Sequence, residues 1–115
     1  MHALIIEPES FTAQLIEDCL VDLGFTSFDF AVDEDEAVTR ASSRCPELIT
    51  ADVTLARGCG VSAVQRISHT VPIPVLYVTA ASSEVRSRCP TAAIVRKPFS
   101  IGELIWGVEQ ALQSR

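Results

Sequence analysis

Short, nearly continuous apolar runs alternate along the chain with longer stretches of helical periodicity. Residues 3–6, 48–53, 74–78 and 92–95 form runs of strand length, and a weaker one covers residues 28–32. Continuous rather than alternating apolar runs are expected of parallel strands covered on both faces. Between them, Phe11, Leu15, Cys19 and Leu23 recur every four residues, joined by Ile16 and Leu20, and Gly24 ends the pattern as a helix stop. Asp33 with Glu36 three residues on resembles a capping box ahead of Ala37, Val38 and Ala41. Val61, Val64 and Ile67 mark a third helix. Ile101, Leu104, Ile105, Val108 and Leu112 mark a last one, with Ser100 as its N-cap. Residues 80–89 carry one strong apolar side chain, Val85, and predict the shortest and most mobile helix. Five β–α units with short connections require a parallel sheet with right-handed crossovers and helices on both faces. In such sheets the site lies at the carboxyl ends of the strands.

Composition narrows the functional classes. A chain of 115 residues, 48% hydrophobic and 21% charged, suits one packed domain spanning residues 1–115, with no output domain expected. No apolar run approaches the roughly 18–20 residues of a membrane span. Met1 leads straight into the first apolar run without a basic n-region, so no membrane association and a cytoplasmic location are expected. The net charge is −6, and residues 1–39 hold ten carboxylates and no Lys or Arg. That acidic front half argues against nucleic-acid binding, which needs clustered bases. The stretch 29–36 reads as a solvated helix start. Cys19, Cys45, Cys59 and Cys89 lie 26, 14 and 30 residues apart, spacings of neither a zinc site nor a CxxC pair, and read as reduced, mostly buried thiols. Eight of the nine bases are Arg; the only lysine is Lys97, directly before Pro98.

The polar residues that end the apolar runs carry the chemistry. The first run ends in Glu7-Pro8-Glu9, the third reaches Asp52, the fourth ends in Thr79-Ala80 and the fifth in Arg96-Lys97-Pro98-Phe99. Carboxylates, a hydroxyl and the lone lysine therefore converge on one rim. No glycine-rich phosphate loop follows a strand, and no Ser/His or Cys/His dyad is readable. In order and spacing, Glu7, Glu9, Asp52, Gly60, Thr79-Ala80 and Lys97-Pro98-Phe99 resemble the receiver domain of two-component response regulators (the CheY-like family) over essentially the whole chain. The Thr79 and pre-proline Lys97 pattern, with a short polar fourth helix, looks similar to alphaproteobacterial general-stress receivers.

The resemblance implies a flavodoxin-like (βα)5 doubly wound sheet with strand order 2-1-3-4-5. It implies that Asp52 accepts a phosphoryl group from a histidine kinase or histidine phosphotransferase. Mg²⁺ would be held by Glu7, Glu9, Asp52 and the Thr54 backbone carbonyl, Lys97 would contact the phosphoryl group, and the Thr79 hydroxyl would turn toward it. Such a protein is no enzyme, though it assists its own phosphotransfer and dephosphorylation. Its output passes to a downstream protein through the face of the fourth helix, fifth strand and fifth helix, here carrying Arg86, Arg88, Ile94 and Trp106; a homodimer stays open. The chemistry independently wants these residue types. A carboxylate can attack the phosphohistidine phosphorus, and a dication offsets the gathering of anions.

Three positions depart from the pattern. Pro8 stands where the second acidic ligand is usual and offers no ligand atom, so weak or displaced Mg²⁺ binding is expected. Glu9 then has two readings, a displaced ligand or an acidic helix start after Pro8. Ile94 replaces the usual aromatic reporter three residues before the lysine, so switching would run through the fourth helix instead. Two glycines, Gly58 and Gly60, predict a flexible loop after Asp52, in which Arg57 is either near an incoming donor or a solvated charge. Trp106 falls away from the apolar stripe of the last helix and is expected to be exposed, either as a partner surface or lying flat on a neighbour. Pro8 also makes a phosphorylation-independent interaction module, a pseudo-receiver, the rival function. Thiol chemistry at Cys59 is a third.

Overall fold

A computed structural model describes residues 1–113. Five strands, β1 (His2–Ile6), β2 (Ser27–Ala31), β3 (Leu48–Ala51), β4 (Val75–Thr79) and β5 (Ala93–Arg96), alternate with five helices. These are α1 (Ser10–Asp22), α2 (Glu34–Ser43), α3 (Gly60–Ser68), α4 (Ser82–Arg88) and α5 (Ile101–Gln113). All strand pairs are parallel, in the order β2-β1-β3-β4-β5, the flavodoxin-like arrangement expected.

The apolar runs are continuous because successive side chains enter different layers. Ala3 and Ile5 of β1 pack with Ile16 and Leu20 of α1 and Leu104 and Val108 of α5. Leu4 and Ile6 point to the other side, with Val61, Val64 and Ile67 of α3 and Val85 of α4. One sheet thus divides two cores, and its strand ends form a rim held from both sides.

Helix ends follow local chemistry. Gly24, at φ +100°, follows the Leu23 cap of α1 in the left-handed region that ends helices. Ser100 and Glu103 form a reciprocal capping box on α5: Glu103 N donates to Ser100 Oγ at 3.1 Å, and Ser100 N to Glu103 Oε1 at 2.8 Å. The box expected at α2 is displaced by one residue. Glu36 N donates to Asp33 Oδ1 at 2.8 Å, but Glu36 Oε1 accepts from Val32 N at 2.7 Å.

Two apolar residues assigned to buried stripes are exposed, Phe11 at 68% and Ile101 at 50%. Both lie in a first helical turn, where side chains lean toward the helix N-terminus and so beyond the sheet. The thiols also differ from expectation: Cys19 is buried, Cys59 and Cys89 are half-buried, and Cys45 is exposed. Among the described residues no helix is long and apolar enough to cross a membrane.

Candidate functional site at the carboxyl rim

Four strand ends bring the candidate residues together. Glu7 follows β1, its N–H donating to Ala31 O at 2.9 Å, and Asp52 follows β3, its N–H donating to Ile6 O at 2.9 Å. The Lys97 N–H donates to Thr79 O at 3.1 Å, so the β4–β5 ladder carries the lysine to the same rim. The Lys97–Pro98 peptide bond is cis. Glu7, Asp52 and Thr79 are 4%, 8% and 1% exposed. A lysine from the fifth strand thus reaches back over the third and first.

The Lys97 ammonium serves two carboxylates at once. Nζ lies 2.8 Å from Asp52 Oδ2, as a hydrogen bond, and 2.8 Å from Glu7 Oε1. The second contact is an ion pair without an aligned hydrogen bond, which leaves Glu7 Oε1 a buried acceptor with no donor of its own. Glu7 Oε2 accepts from Glu9 N at 3.1 Å. Burial pushes the Glu7 carboxyl above its ordinary value, and the nearby Lys97 ammonium and the hydrogen bond from Glu9 N only partly oppose this. Burial acts to lower Lys97, but its hydrogen bond to Asp52 and its ion pair with Glu7 outweigh that and hold the ammonium above its ordinary value. The two negative charges and one positive charge leave the pocket electrically incomplete.

Thr79 Oγ1 accepts from Ala81 N at 3.0 Å, immediately before α4. The hydroxyl is therefore tied to the β4–α4 connection. Helix α4 has no side-chain cap bond and one buried residue, Val85. It is the shortest of the five helices, as its sparse apolar face predicts.

Both glycines of the loop after Asp52 sit in close contact with neighbouring groups. A Cβ on Gly60 would collide with the Asp52 backbone oxygen. Gly58 has φ +79°, and a Cβ there would collide with Glu34. Thr54, whose carbonyl is a candidate metal donor, is exposed and bridges to Cys59 across the loop. Arg57 is exposed.

Glu9 lies apart from this cluster. Its carboxylate caps α1, accepting from Phe11 N at 2.8 Å and Thr12 N at 2.9 Å. Those two bonds, before weaker effects, pull its carboxyl below the ordinary value. Of the two sequence readings, the helix-start geometry is the one present. Among the described residues no group of three or more His, Cys, Asp and Glu side chains could hold a metal ion. The oxygen donors at the rim are the Glu7 and Asp52 carboxylates and backbone carbonyls.

On the expected partner face, Trp106 is 58% exposed. The two arginines are committed within the chain. Arg86 Nη1 donates to Pro90 O at 3.2 Å and Ala92 O at 2.9 Å, closing the loop after α4. Arg88 reaches α3, with Nη2 3.5 Å from Ser62 Oγ and 3.4 Å from Gln65 Oε1, and Nη1 3.6 Å from Cys59 Sγ. Ile94 is half-buried against the layer containing Val85.

Two networks had no clear sequence signal. Buried His2 places Nε2 3.0 Å from Asp29 Oδ2 and Nδ1 2.9 Å from Ser27 Oγ, at the edge opposite the rim. Glu34 accepts from Cys59 N at 3.0 Å and from Arg66 Nη1 at 3.0 Å. The stretch 29–36 is thus not simply solvated: Asp29 and Glu34 are spent on tertiary bonds.

No family model matches the chain. It is 35% identical over 113 residues to the phyllosphere-induced regulator PhyR of Methylorubrum extorquens, covering 95% of this chain and 42% of that protein. The chain spans about half the length of the curated relatives it matches. The PhyR receiver domain of Erythrobacter litoralis superposes with TM-score 0.90 at 29% identity, over 99% of this chain and 91% of that one. The N-terminal domain of a response regulator/sensory box/GGDEF protein from Carboxydothermus hydrogenoformans gives TM-score 0.82 at 30% identity, over 98% and 94%. With the sheet order and the rim residues, these likenesses identify the chain as a member of the response-regulator receiver family.

Proposed function

We propose that this domain is a phosphoacceptor switch in which Asp52 takes a phosphoryl group from the phosphohistidine of a histidine kinase or histidine phosphotransferase. The observation that carries the reading is the Lys97 ammonium, 2.8 Å from Asp52 and 2.8 Å from Glu7 in a buried strand-end pocket. An Asp52 carboxylate oxygen attacks phosphorus, the O–P bond forms as the N–P bond breaks, and the departing imidazole nitrogen takes up a proton. Lys97 keeps the attacking carboxylate oriented and then contacts a phosphoryl oxygen as a compact point charge. Thr79 exchanges its bond from Ala81 N for one donated to the phosphoryl group, which releases the start of α4.

The donors present suit a hard dication held incompletely by protein. Glu7 Oε1 is buried without a hydrogen-bond donor, Asp52 lies beside it, and Mg²⁺ commonly takes one or two carboxylates with water and phosphate oxygens. When bound there by Glu7, Asp52 and the Thr54 carbonyl, Mg²⁺ would offset the charge of the acceptor and the incoming phosphoryl group. The output is binding of a downstream protein in the cytoplasm at the α4-β5-α5 face. There exposed Trp106 is the anchor, and Arg86 and Arg88 become available only if α4 lets go of their present partners.

The second reading, a pseudo-receiver that binds partners without phosphorylation, is favoured by Pro8 and by the engagement of Glu9 in a helix cap. One experiment separates the two. The protein is incubated with acetyl phosphate and Mg²⁺, with and without EDTA, beside Asp52→Asn, and intact mass is measured. A Mg²⁺-dependent phosphoryl gain confined to the wild type is expected. No gain, or an equal gain in Asp52→Asn, leaves the pseudo-receiver.

A further inference from the structure

We propose that Glu34 is a positioning residue for phosphotransfer, holding from α2 the loop that joins Asp52 to α3; this rests on the phosphoacceptor reading above. The β2–α2 connection and the acceptor loop are joined by three bonds. Ala56 N donates to Val32 O at 2.9 Å, Glu34 N donates to Arg57 O at 3.0 Å, and Cys59 N donates to Glu34 Oε1 at 3.0 Å. The third is the only one of these that depends on a side chain. Glu34 Oε2 is fixed from behind by Arg66 Nη1 at 3.0 Å, and the Glu34 side chain is only 19% exposed. This is therefore more than a surface ion pair.

Cys59 is the cap residue of α3 and makes no side-chain cap bond of its own. Glu34 supplies an anionic oxygen there from another helix, the sign that a helix N-terminus favours. The loop is built to receive it. Gly58 has no Cβ, and one placed there would collide with the Glu34 side chain. What Glu34 holds is one residue from the acceptor's backbone: Gly60 packs on the Asp52 carbonyl, and Gly60 N donates to Val53 O at 2.9 Å. Thr54, the candidate carbonyl donor, bridges directly to Cys59. Displacing Cys59 therefore shifts the Thr54 carbonyl and the Asp52 main chain together, and small misplacements of reacting groups cost rate steeply.

The test compares wild type, Glu34→Ala and Glu34→Gln by two measurements. Amide exchange at Cys59, followed by NMR without phosphodonor or Mg²⁺, reads the hold itself. Glu34→Ala should speed it about fivefold, the equivalent of one ordinary hydrogen bond. The glutamine carbonyl can still accept from Cys59 N, so Glu34→Gln should stay near wild type. Phosphorylation by acetyl phosphate at fixed Mg²⁺ reads the consequence, and should fall about tenfold in Glu34→Ala and little in Glu34→Gln. Unchanged Cys59 exchange in Glu34→Ala overturns the proposal. So does faster exchange with an unaltered phosphorylation rate, or a glutamine variant as slow as the alanine one. A wild type that takes no phosphoryl group instead defeats the phosphoacceptor reading, a failure recognisable on its own because Cys59 exchange is read without any donor.

Discussion

Two glutamates two residues apart carry pKa displacements of opposite sign, and the signs separate their roles. Glu9 accepts from Phe11 N and Thr12 N and sits below its ordinary value. A depressed carboxyl contributes stability that is present above pH 4.5 and is lost as pH falls through the lower folded value. Glu7 is raised by burial, so its contribution is greatest below pH 4.5 and is lost as pH rises through the higher folded value. Glu9→Ser keeps a good N-cap while deleting the carboxylate. Thermal midpoints should therefore be close to wild type at pH 7. Below pH 4.5 wild type should lose stability relative to the variant, because it alone has this cap to protonate. The Mg²⁺ concentration for half-maximal phosphorylation should be unchanged, whereas a clear increase would return Glu9 to the cation. Glu7, Asp52, Thr79 and Lys97 were legible in the sequence because each is a polar residue ending an apolar run. The side-chain direction of Glu9 was not, since a ligand and a cap share the same spacing.

Among the elements, the strands were the most legible and the helix starts the least. A strand covered on both faces leaves a continuous apolar run whatever its neighbours are. Burial in a first helical turn instead depends on how far the helix overhangs the sheet, which misassigned Phe11 and Ile101. Tertiary pairs such as His2 with Asp29 depend on register, His2 lying beside Ser27 and Leu4 beside Asp29, and no local pattern encodes that. Within α5, packing makes two glycines respond oppositely. A Cβ on Gly107 would collide with Val95 Cγ2 and lie 3.0 Å from Leu76 Cδ1, whereas one on Gly102 meets only Ser100 Oγ at 3.9 Å. Val95 is β-branched and cannot easily rotate away, so strain should exceed the gain in helix propensity. Urea denaturation should show Gly107→Ala destabilised by about 1 kcal/mol or more. Gly102→Ala should be stabilised by about 0.5 kcal/mol.

At the scale of the molecule, the doubly covered sheet makes the rim a place where charge can be buried without being fully neutralised. The strands that carry Glu7 and Asp52 are packed between both cores, and one ammonium serves both carboxylates. A dication at this rim should therefore stabilise the native fold, in which the donors are assembled, over the unfolded chain, in which they are not. Pro8 offers no ligand atom and Glu9 is engaged in the α1 cap, so affinity should be modest and saturation should need excess Mg²⁺. At tenfold the dissociation constant the linkage amounts to about 1.4 kcal/mol. For a domain of 115 residues that corresponds to a rise in Tm of about 6 °C. The rise should level off with Mg²⁺ concentration, disappear with EDTA, and be largely lost in Asp52→Asn and in Glu7→Gln. Glu9→Ser should retain it, since that change leaves both rim carboxylates in place. A Tm that climbs without saturating, or by the same amount in Asp52→Asn, would mean that Mg²⁺ only screens the net charge of −6. The asymmetric rim would then be a structural ion cluster without a cation site.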